Sequence, residues 1–193
     1  MAEAGTKALE SLAAALGKGK TPPVERWNPP FCGDLDMRIA ADGTWFYLGT
    51  PIGRPALVRL FASVLKREDG RYFLVTPVEK VGIRVDDAPF LAVEMEIENR
   101  GPQQNLLFRS NVDDVVRCDA DHRLRFEPEA GTGGLRPYLH VRRDLWAKVT
   151  RALFFDLVGI GEVREEGGRR MFGVVSAAEF FAMAPEEAVA GYA

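Results

Sequence analysis

Residues 33–48 read GDLDMRIAADGTWFYL and carry a strong signal for two paired strands. Every second residue from Leu35 to Ile39 is apolar, and this period of two is typical of a strand with one buried face. Asp42-Gly43 is a tight-turn sequence, and the aromatic run that follows it predicts the partner strand. The stretch therefore predicts a β-hairpin that has one apolar face and one polar face.

Helical signals appear in three other stretches. Apolar residues at positions i, i+3, i+4, i+7 and i+8 predict an amphipathic helix over residues 55–67, with Pro55 in its first turn. Asp144 is a good N-cap for a second amphipathic helix that runs to Leu157. Residues 176–179 read SAAE, which is a capping box and predicts a short last helix.

Further strands are predicted where short apolar runs are bounded by turn residues. They cover residues 72–76, 82–85, 90–98, 106–108, 112–117, 124–126, 138–141 and 171–175. The fold class is therefore α+β, with mostly antiparallel sheets and two amphipathic helices. The order strand, strand, helix, strand occurs over residues 35–76 and again over residues 113–175. This order indicates either two repeated motifs or a coincidence of the kind common in α+β proteins.

The chain divides into four predicted parts. Residues 1–24 contain a short helix, in which leucines recur at helical spacing, and a linker. Residues 25–98 are predicted to form a first α+β lobe, and residues 99–185 a second lobe that packs on the first. Residues 186–193 are a tail rich in Ala and Glu.

Composition and charge exclude several classes of protein. The chain has 193 residues, with 25 Lys and Arg against 28 Asp and Glu, so its net charge is −3. Proteins that bind nucleic acid or an anionic membrane normally carry a strong positive excess, so neither partner is expected. Two cysteines cannot make the disulfide framework of a small secreted module, and no stretch has the roughly eighteen apolar residues of a membrane span. We expect a compact cytoplasmic protein.

The small net charge is an average over two opposite segments. Residues 86–98 hold five acidic residues and no basic one, whereas residues 136–151 hold five basic residues and one acidic residue. The basic segment is predicted to meet either an acidic partner or the acidic segment of the same chain.

Motifs for metal binding and covalent catalysis are weak. Cys118 and His122 are four residues apart, but a zinc site usually needs a second close pair of ligands. We therefore expect no metal and no cofactor. Nothing marks either cysteine as a nucleophile, and no serine lies in a Gly-x-Ser-x-Gly sequence. Residues 131–134 lack the Gly-Lys-Ser/Thr ending of a phosphate-binding loop.

Charged residues of the first predicted strand are the main candidates for a site. Asp34, Asp36 and Arg38 alternate along it, so their side chains project from one face. They could form a carboxylate pair for acid–base chemistry or a divalent-cation site, with Asp42 nearby. The alternative is a solvated polar face with local ion pairs. Trp45 would form an aromatic wall of a ligand site if its side chain faces outward.

Two arginines add a second set of candidates. Arg54 precedes the predicted helix, where free backbone N–H groups favour anions, and Arg59 lies five residues further on. A phosphate or carboxylate ligand would fit there. The alternative is a salt bridge from Arg54 to Asp34 or Asp36.

Several stretches of the sequence resemble a known family. They are GDLDMRI at 33–39, DGTWFY at 42–47, PIGRPALV at 51–58, LVTPVEK at 74–80 and DDAPF at 86–90. Together they resemble the bacterial DUF1285 family over roughly residues 25–185. The resemblance implies a compact α+β fold built from repeated motifs, and it suggests a part in signal transduction. It brings no catalytic residues to carry over.

Three hypotheses about function follow. The first is a non-enzymatic regulatory module that binds a protein or small-molecule partner through the face around Asp36, Arg38 and Arg54. The alternative is an enzyme that uses the carboxylates of the first hairpin, with or without a divalent metal, on a phosphorylated small molecule. The third is a structural role in a homo-oligomer, with residues 90–98 as an edge strand.

Overall fold

A computed structural model describes residues 22–101 and 103–189. Strands make up 51% of these residues, and helices are few and short. The protein is therefore sheet-rich with little helix, rather than a balanced α+β fold. No helix within the described ranges is long and apolar enough to cross a membrane. The helix predicted near the N-terminus lies outside the described residues.

The chain forms two compact units. The first unit ends at Pro89 and also includes residues 143–145, and the second unit contains residues 90–142 and the chain from Trp146 onward. The strand at residues 90–98 falls in the second unit.

Over the residues that the structure describes, the first unit contains a six-stranded sheet and one α-helix. Its elements are β1 (Phe31–Ile39), β2 (Trp45–Tyr47), β3 (Thr50–Pro51), α1 (Pro55–Ser63), β4 (Leu65–Glu68), β5 (Arg71–Val75) and β6 (Lys80–Val85), after a 3-10 turn at Val24–Arg26. The strand order is β3-β2-β1-β6-β5-β4. β1 pairs with β6 in parallel, and every other neighbouring pair is antiparallel.

One face of this sheet forms the core of the first unit. Met37 and Ile39 of β1 are buried on it, as the alternation in the sequence predicts. Trp45 of β2 pairs with Ile39 and stacks on Phe61 of α1, with ring centroids 6.1 Å apart and planes 21° apart. The helix α1 therefore covers the apolar face of the sheet.

The predicted end of α1 at residue 67 is wrong, because the helix stops at Ser63 and a strand follows. Asp69 and Gly70 have φ angles of 48° and 79°, and two such residues form the turn type that matches the twist of a β-hairpin. The hairpin pairs Leu65 with Leu74, and both are buried. The pairing of β4 with β5 therefore determines the structure after Ser63, although the apolar residues there follow a helical spacing.

The second unit contains a six-stranded sheet and a three-stranded sheet. Its elements are β7 (Phe90–Glu98), β8 (Asn105–Ser110), β9 (Val115–Arg117), β10 (Leu124–Pro128), β11 (Leu135–Arg142), β12 (Leu145–Val149), α2 (Arg151–Gly159), β13 (Glu162–Glu166), β14 (Arg169–Ser176), β15 (Glu179–Pro185) and α3 (Glu186–Val189). The larger sheet has the order β10-β11-β12-β7-β8-β9, and the smaller one has the order β13-β14-β15. β9 pairs with β8 and β10 pairs with β11, so the consecutive strands β9 and β10 do not form a hairpin with each other.

The two six-stranded sheets have the same strand order. Each sheet consists of two three-stranded meanders. The first strand of one meander pairs in parallel with the last strand of the other. These parallel pairs are β1 with β6 and β7 with β12. The helices differ in position, because α1 lies between the meanders of its unit and α2 follows the last strand of its sheet. The strand, strand, helix, strand repeat therefore stays a prediction.

β7 differs from its prediction in two ways. It lies between β12 and β8, so it is an interior strand and not the edge strand that the homo-oligomer hypothesis requires. A bulge between Ala92 and Glu94 also interrupts its alternation. Phe90 and Ala92 are buried before the bulge, and Val93 is exposed at it. An extra residue at a bulge moves the following side chains to the other face, which a strict period of two does not anticipate.

Two predicted helical regions are strands in the structure. Leu145, Ala147 and Val149 are buried on alternate positions of β12, and α2 begins only after Thr150. The capping box at residues 176–179 is instead the turn of the β14–β15 hairpin, because Ala177 has a φ of 50° and Ala178 a φ of 66°. The residues predicted to cap these two helices therefore lie at hairpin turns.

The side chain of Ser176 joins the two sheets of the second unit. Its Oγ donates a hydrogen bond to the carbonyl oxygen of Cys118 at 2.6 Å and accepts one from the backbone N–H of Leu106 at 2.9 Å. Ser176 is completely buried. The hydroxyl therefore satisfies two backbone groups that water does not reach.

We predict that Ser176→Ala lowers the free energy of unfolding by about 1–3 kcal/mol, because it leaves a buried donor and a buried acceptor without partners. Urea unfolding followed by fluorescence measures this loss. Ser63→Ala is the control, since the Ser63 hydroxyl donates only to the carbonyl of Leu60 at the end of α1. Equal losses in the two variants would contradict the bridging role of Ser176.

Candidate functional site

The polar face of the first sheet lies opposite its apolar core. Asp34, Asp36 and Arg38 of β1 alternate with the core residues of that strand, and their side chains are 67%, 56% and 38% exposed. Phe46 of β2 is the register partner of Arg38 and projects from the same face. The structure thus brings the three candidates of β1 together, as their spacing predicts.

Each of these three residues forms an ion pair with a residue from elsewhere in the first unit. Asp34 contacts Arg71 at 2.8 Å, Asp36 contacts Arg84 at 3.3 Å, and Arg38 contacts Asp86 at 2.6 Å. We call this set the charged face: Asp34, Asp36, Arg38, Arg71, Arg84 and Asp86. Three carboxylates balance three guanidinium groups, so the charged face has no net charge.

Gly82 makes the first of these pairs sterically possible. It is the register partner of Asp34 in the parallel β1–β6 pair. A Cβ at this position would lie 2.0 Å from Oδ1 of Asp34 and 3.2 Å from the Arg71 guanidinium. Because glycine has no side chain, Arg71 of β5 reaches across β6 to Asp34 on β1.

Aromatic rings lie beneath the guanidinium groups. The Arg71 guanidinium lies 5.6 Å from the ring centroid of Phe31 and 5.2 Å from that of Phe73, and the Arg38 guanidinium lies 4.8 Å from that of Phe46. These are cation–π distances. Phe73 is buried, whereas Phe31 remains 50% exposed at the start of β1. The charged face therefore combines an ion-pair pattern with an accessible aromatic ring.

A second ionic cluster continues this side of the sheet toward β4. The Glu68 carboxylate contacts the ammonium groups of Lys66 at 2.7 Å and Lys80 at 2.8 Å. The hydrogen bond from Lys66, and then that from Lys80, lowers the pKa of Glu68. Lys66 also lies 3.8 Å from Glu25.

Other predicted site residues do not join the charged face. Trp45 is 1% exposed and stacks in the core, so it forms no outward aromatic wall. Its position opposite Ile39 in the hairpin register directs it to the apolar face. Asp42 accepts a hydrogen bond from the backbone N–H of Thr44 at 2.9 Å, and this bond lowers its pKa. Asp42 therefore shapes the turn between β1 and β2.

Arg54 and Arg59 are also separate from the charged face. Arg54 is the N-cap of α1, Arg59 lies within that helix, and both are exposed. Since α1 covers the apolar face, the two arginines lie on the other side of the sheet. The salt bridge suggested between Arg54 and Asp34 or Asp36 is not formed, because Arg71 and Arg84 pair with these carboxylates.

The sequence did not identify the partners of the candidate residues. Arg71, Gly82, Arg84 and Asp86 lie on β5, on β6 and just after β6, far along the chain from β1. The alternation of Lys80, Gly82 and Arg84 is the signal that could have placed them on a polar face. It does not reveal which strand lies beside β6.

The oppositely charged segments lie partly side by side in the second unit. β12 runs parallel to β7, with Lys148 opposite Leu91. Several of their charged groups pair with other parts of their own unit. Glu94 contacts Arg109 at 2.9 Å, and Arg142 pairs with Asp114. The two segments are therefore neighbours in the sheet, and residues outside both segments neutralise some of their charges.

The two histidines of the described part of the second unit lie together, and Cys118 is buried. The rings of His122 and His140 stack with centroids 5.6 Å apart. Cys118 is buried, and the loss of hydration raises the pKa of its thiol to about 12. Within residues 22–101 and 103–189, no group of three or more His, Cys, Asp or Glu side chains is arranged to hold a metal ion.

The fold and the charged face define a two-unit, sheet-rich protein with an exposed pattern of ion pairs. The chain belongs to the DUF1285 family. Residues 22–88 match its N-terminal domain, described as a domain of unknown function, and residues 89–183 match its C-terminal domain. These ranges meet at the boundary between the two compact units.

Two solved structures are similar to this chain. A DUF1285 family protein from Silicibacter pomeroyi is 50% identical, with a TM-score of 0.85 over 92% of this chain and 94% of that one. A DUF1285 family protein from Shewanella baltica is 32% identical, with a TM-score of 0.50 over 64% of this chain and 90% of that one. No curated protein matches the chain.

We predict that Glu68→Gln lowers stability at neutral pH by about 0.5–1 kcal/mol, because two partly exposed ion pairs are lost. The pKa of Glu68 is lowered in the folded state, so its stabilising effect is present above the unfolded value of 4.5 and is lost as the pH falls through the folded value. Urea unfolding at pH 7 and in acid should therefore show a difference that shrinks in acid. Glu96→Gln, at an exposed position of β7, is the control. A pH-independent difference would contradict this assignment.

We also predict that native protein reacts rapidly with a thiol reagent at Cys32 only. Cys32 is exposed, whereas burial keeps the Cys118 thiol protonated and covered. A colorimetric thiol assay should therefore detect one fast thiol per native chain and a second after denaturation. Cys32→Ser should abolish the fast reaction, and a fast thiol that persists in this variant would show that Cys118 is accessible.

Proposed function

We propose that this protein is a non-enzymatic binding module and that the charged face is its recognition surface for a protein partner. The observation that carries the proposal is the Asp34–Arg71 pair, which crosses the exposed surface of β6 above Gly82. A regulatory role in bacterial signal transduction is the setting that we propose for this binding.

Stability alone is a weak reason for such an arrangement. Exposed ion pairs typically contribute about 0–1 kcal/mol, and glycine in the interior of a strand weakens it. Arg38 and Arg84 are also register partners, so two like charges lie on neighbouring strands and repel each other. The glycine within β6 and the neighbouring like charges therefore lower the stability of the sheet, and an ordinary solvated strand surface lacks both features. Recognition of a partner gives a reason to keep the pattern.

The pattern also favours one class of partner. A polyanion such as nucleic acid would be attracted by a net positive surface, whereas the carboxylates here balance the guanidinium groups. Alternating charges fit a protein surface that presents the complementary alternation, since electrostatic complementarity sets register and excludes wrong partners. Phe31, half exposed beside Arg71, supplies an aromatic anchor of the kind common at interfaces.

The alternative function, a carboxylate-dependent enzyme, has less support. A general base or a cation site needs carboxylate oxygens that are available to substrate or metal. Asp34 and Asp36 each bind a guanidinium group, and Asp42 binds the backbone of its own turn. The arrangement of these three carboxylates favours binding over acid–base catalysis.

A charge swap tests the proposal. In the double variant Asp36→Arg with Arg84→Asp, the ion pair can still form, but its direction is reversed. We expect unchanged thermal stability together with at least about a tenfold loss of affinity for the partner, as for the removal of one favourable charge contact. Partners captured by the tagged full-length chain, from a lysate of cells that express it naturally, are quantified by mass spectrometry and then measured by titration.

The control is a matched swap elsewhere, Arg170→Glu with Glu186→Arg, at an exposed pair whose atoms are 2.7 Å apart. A partner that binds the wild type and the control but not the face variant supports the proposal. A partner set that the face swap leaves unchanged, or that both swaps remove equally, would show that recognition lies elsewhere.

A further inference from the structure

The outer edge of β9 in the second unit offers backbone groups for pairing. β9 is the last strand of the larger sheet, and β8 pairs with its inner side. The carbonyl oxygen of Asp114 and the backbone N–H of Cys118 each form a 2.8 Å hydrogen bond with β8. Because these groups alternate in direction along an antiparallel strand, the N–H and C=O groups of Val115 and Arg117 point away from β8. Within the residues that the structure describes, no strand pairs with this edge.

The other edge strands are protected against pairing with a further strand. β3 ends in Pro51, β4 has three charged residues among its four, and β13 has four charged residues among its five. β10 and β15 lie against each other. Proline, charged side chains and a covering element are the means by which proteins protect sheet edges. β9 has one charged residue, Arg117, which pairs with Asp119, and its Val115 is 60% exposed. Its length of three residues is therefore its main protection.

A cavity of 480 Å³ lies along this edge. All three residues of β9 line it together with Asp114 and Asp119, and Val141 and Arg142 of β11 line it as well. Its volume is within the range of natural ligand sites. The backbone of a strand that pairs with Val115 would lie along this cavity. An extended peptide is therefore the kind of ligand that satisfies the outward backbone groups of β9.

Charge indicates which side chain such a peptide carries. The charged residues that line the cavity are three carboxylates and two guanidinium groups, namely Glu98, Asp114, Asp119, Arg117 and Arg142. Arg117 pairs with Asp119 at 3.2 Å, and Arg142 pairs with Asp114. Glu98 is exposed and has no ion pair within the described residues. The charge that remains in the cavity is therefore negative, and it is complementary to a lysine or an arginine.

We propose that β9 is the docking edge for an extended peptide of a partner protein, which adds a strand to the larger sheet of the second unit and places a basic side chain beside Glu98. In strand addition, main-chain hydrogen bonds provide affinity and alternate side chains provide specificity. Glu98 ends the acidic segment at residues 86–98, so this part of the segment meets a basic partner. The proposal concerns the second unit and does not depend on the charged face.

The first experiment tests the charge preference. A phage-displayed library of random ten-residue peptides is selected on the immobilised full chain, and the enriched peptides are synthesised and titrated by fluorescence polarisation. We expect them to carry a lysine or an arginine, and we expect Glu98→Lys to weaken their binding at least about tenfold. Glu165→Lys, at an exposed position of β13, is the control and should bind like the wild type. A selection that enriches no peptide, or peptides whose binding Glu98→Lys leaves unchanged, would overturn the proposal.

The second experiment tests the main-chain pairing. Val115→Pro removes one outward N–H, and proline is tolerated on an edge strand where this group faces solvent. Val115→Thr is the control, because it changes the same side chain and keeps the N–H. We expect the selected peptides to bind Val115→Pro at least about tenfold more weakly than Val115→Thr, since one backbone hydrogen bond is lost. Circular dichroism checks that both variants fold.

Methylation of the peptide nitrogens gives the same test without a change in the protein. Alternate N–H groups of an added strand point toward β9, so methylation of one alternate set should abolish binding and methylation of the other set should not. Equal binding of both methylated peptides would refute strand addition. Light scattering distinguishes a second copy as the occupant: a wild-type mass of twice 21.4 kDa that Val115→Pro halves would show that β9 pairs with itself, and it would overturn the peptide proposal.

Discussion

The parallel pairing of β1 with β6 is the interaction on which the first unit depends. It joins the first strand of one meander to the last strand of the other, so that six short strands form one sheet. Parallel neighbours cannot be joined by a tight turn, and the chain between them therefore contains four strands and a helix. The apolar face that this pairing completes is covered by α1, and the polar face becomes the charged face. The same constraint applies in the second unit, where β7 pairs in parallel with β12.

Gly82 connects this constraint to the proposed function. The register of the parallel pair places it beside Asp34, and its missing side chain opens a path for Arg71 from the next strand. The pair that results spans three strands on an exposed surface. Such a pair adds little to folding, and this is the reason for our proposal that it serves recognition.

Several predictions from the sequence failed for one physical reason. The predicted extension of α1 beyond Ser63, the helix at 145–149 and the helix after Ser176 are all strands. Each predicted helix signal lies beside residues with positive φ, such as Ala177, that make a hairpin turn. Alanine in that conformation has no turn signature in the sequence, and short strands contain too few residues to establish a period of two. Pairing with a neighbouring strand then decided the local structure.

The sequence by itself determined the two-faced hairpin of β1 and β2 and the common face of Asp34, Asp36 and Arg38, because strand alternation is a local property. It also carried the features that resemble the DUF1285 family. Only the tertiary structure decided which groups neutralise these three residues and that Trp45 belongs to the core. Strand neighbours distant in sequence are chosen by the packing of the whole sheet, and a local pattern holds no information about that choice.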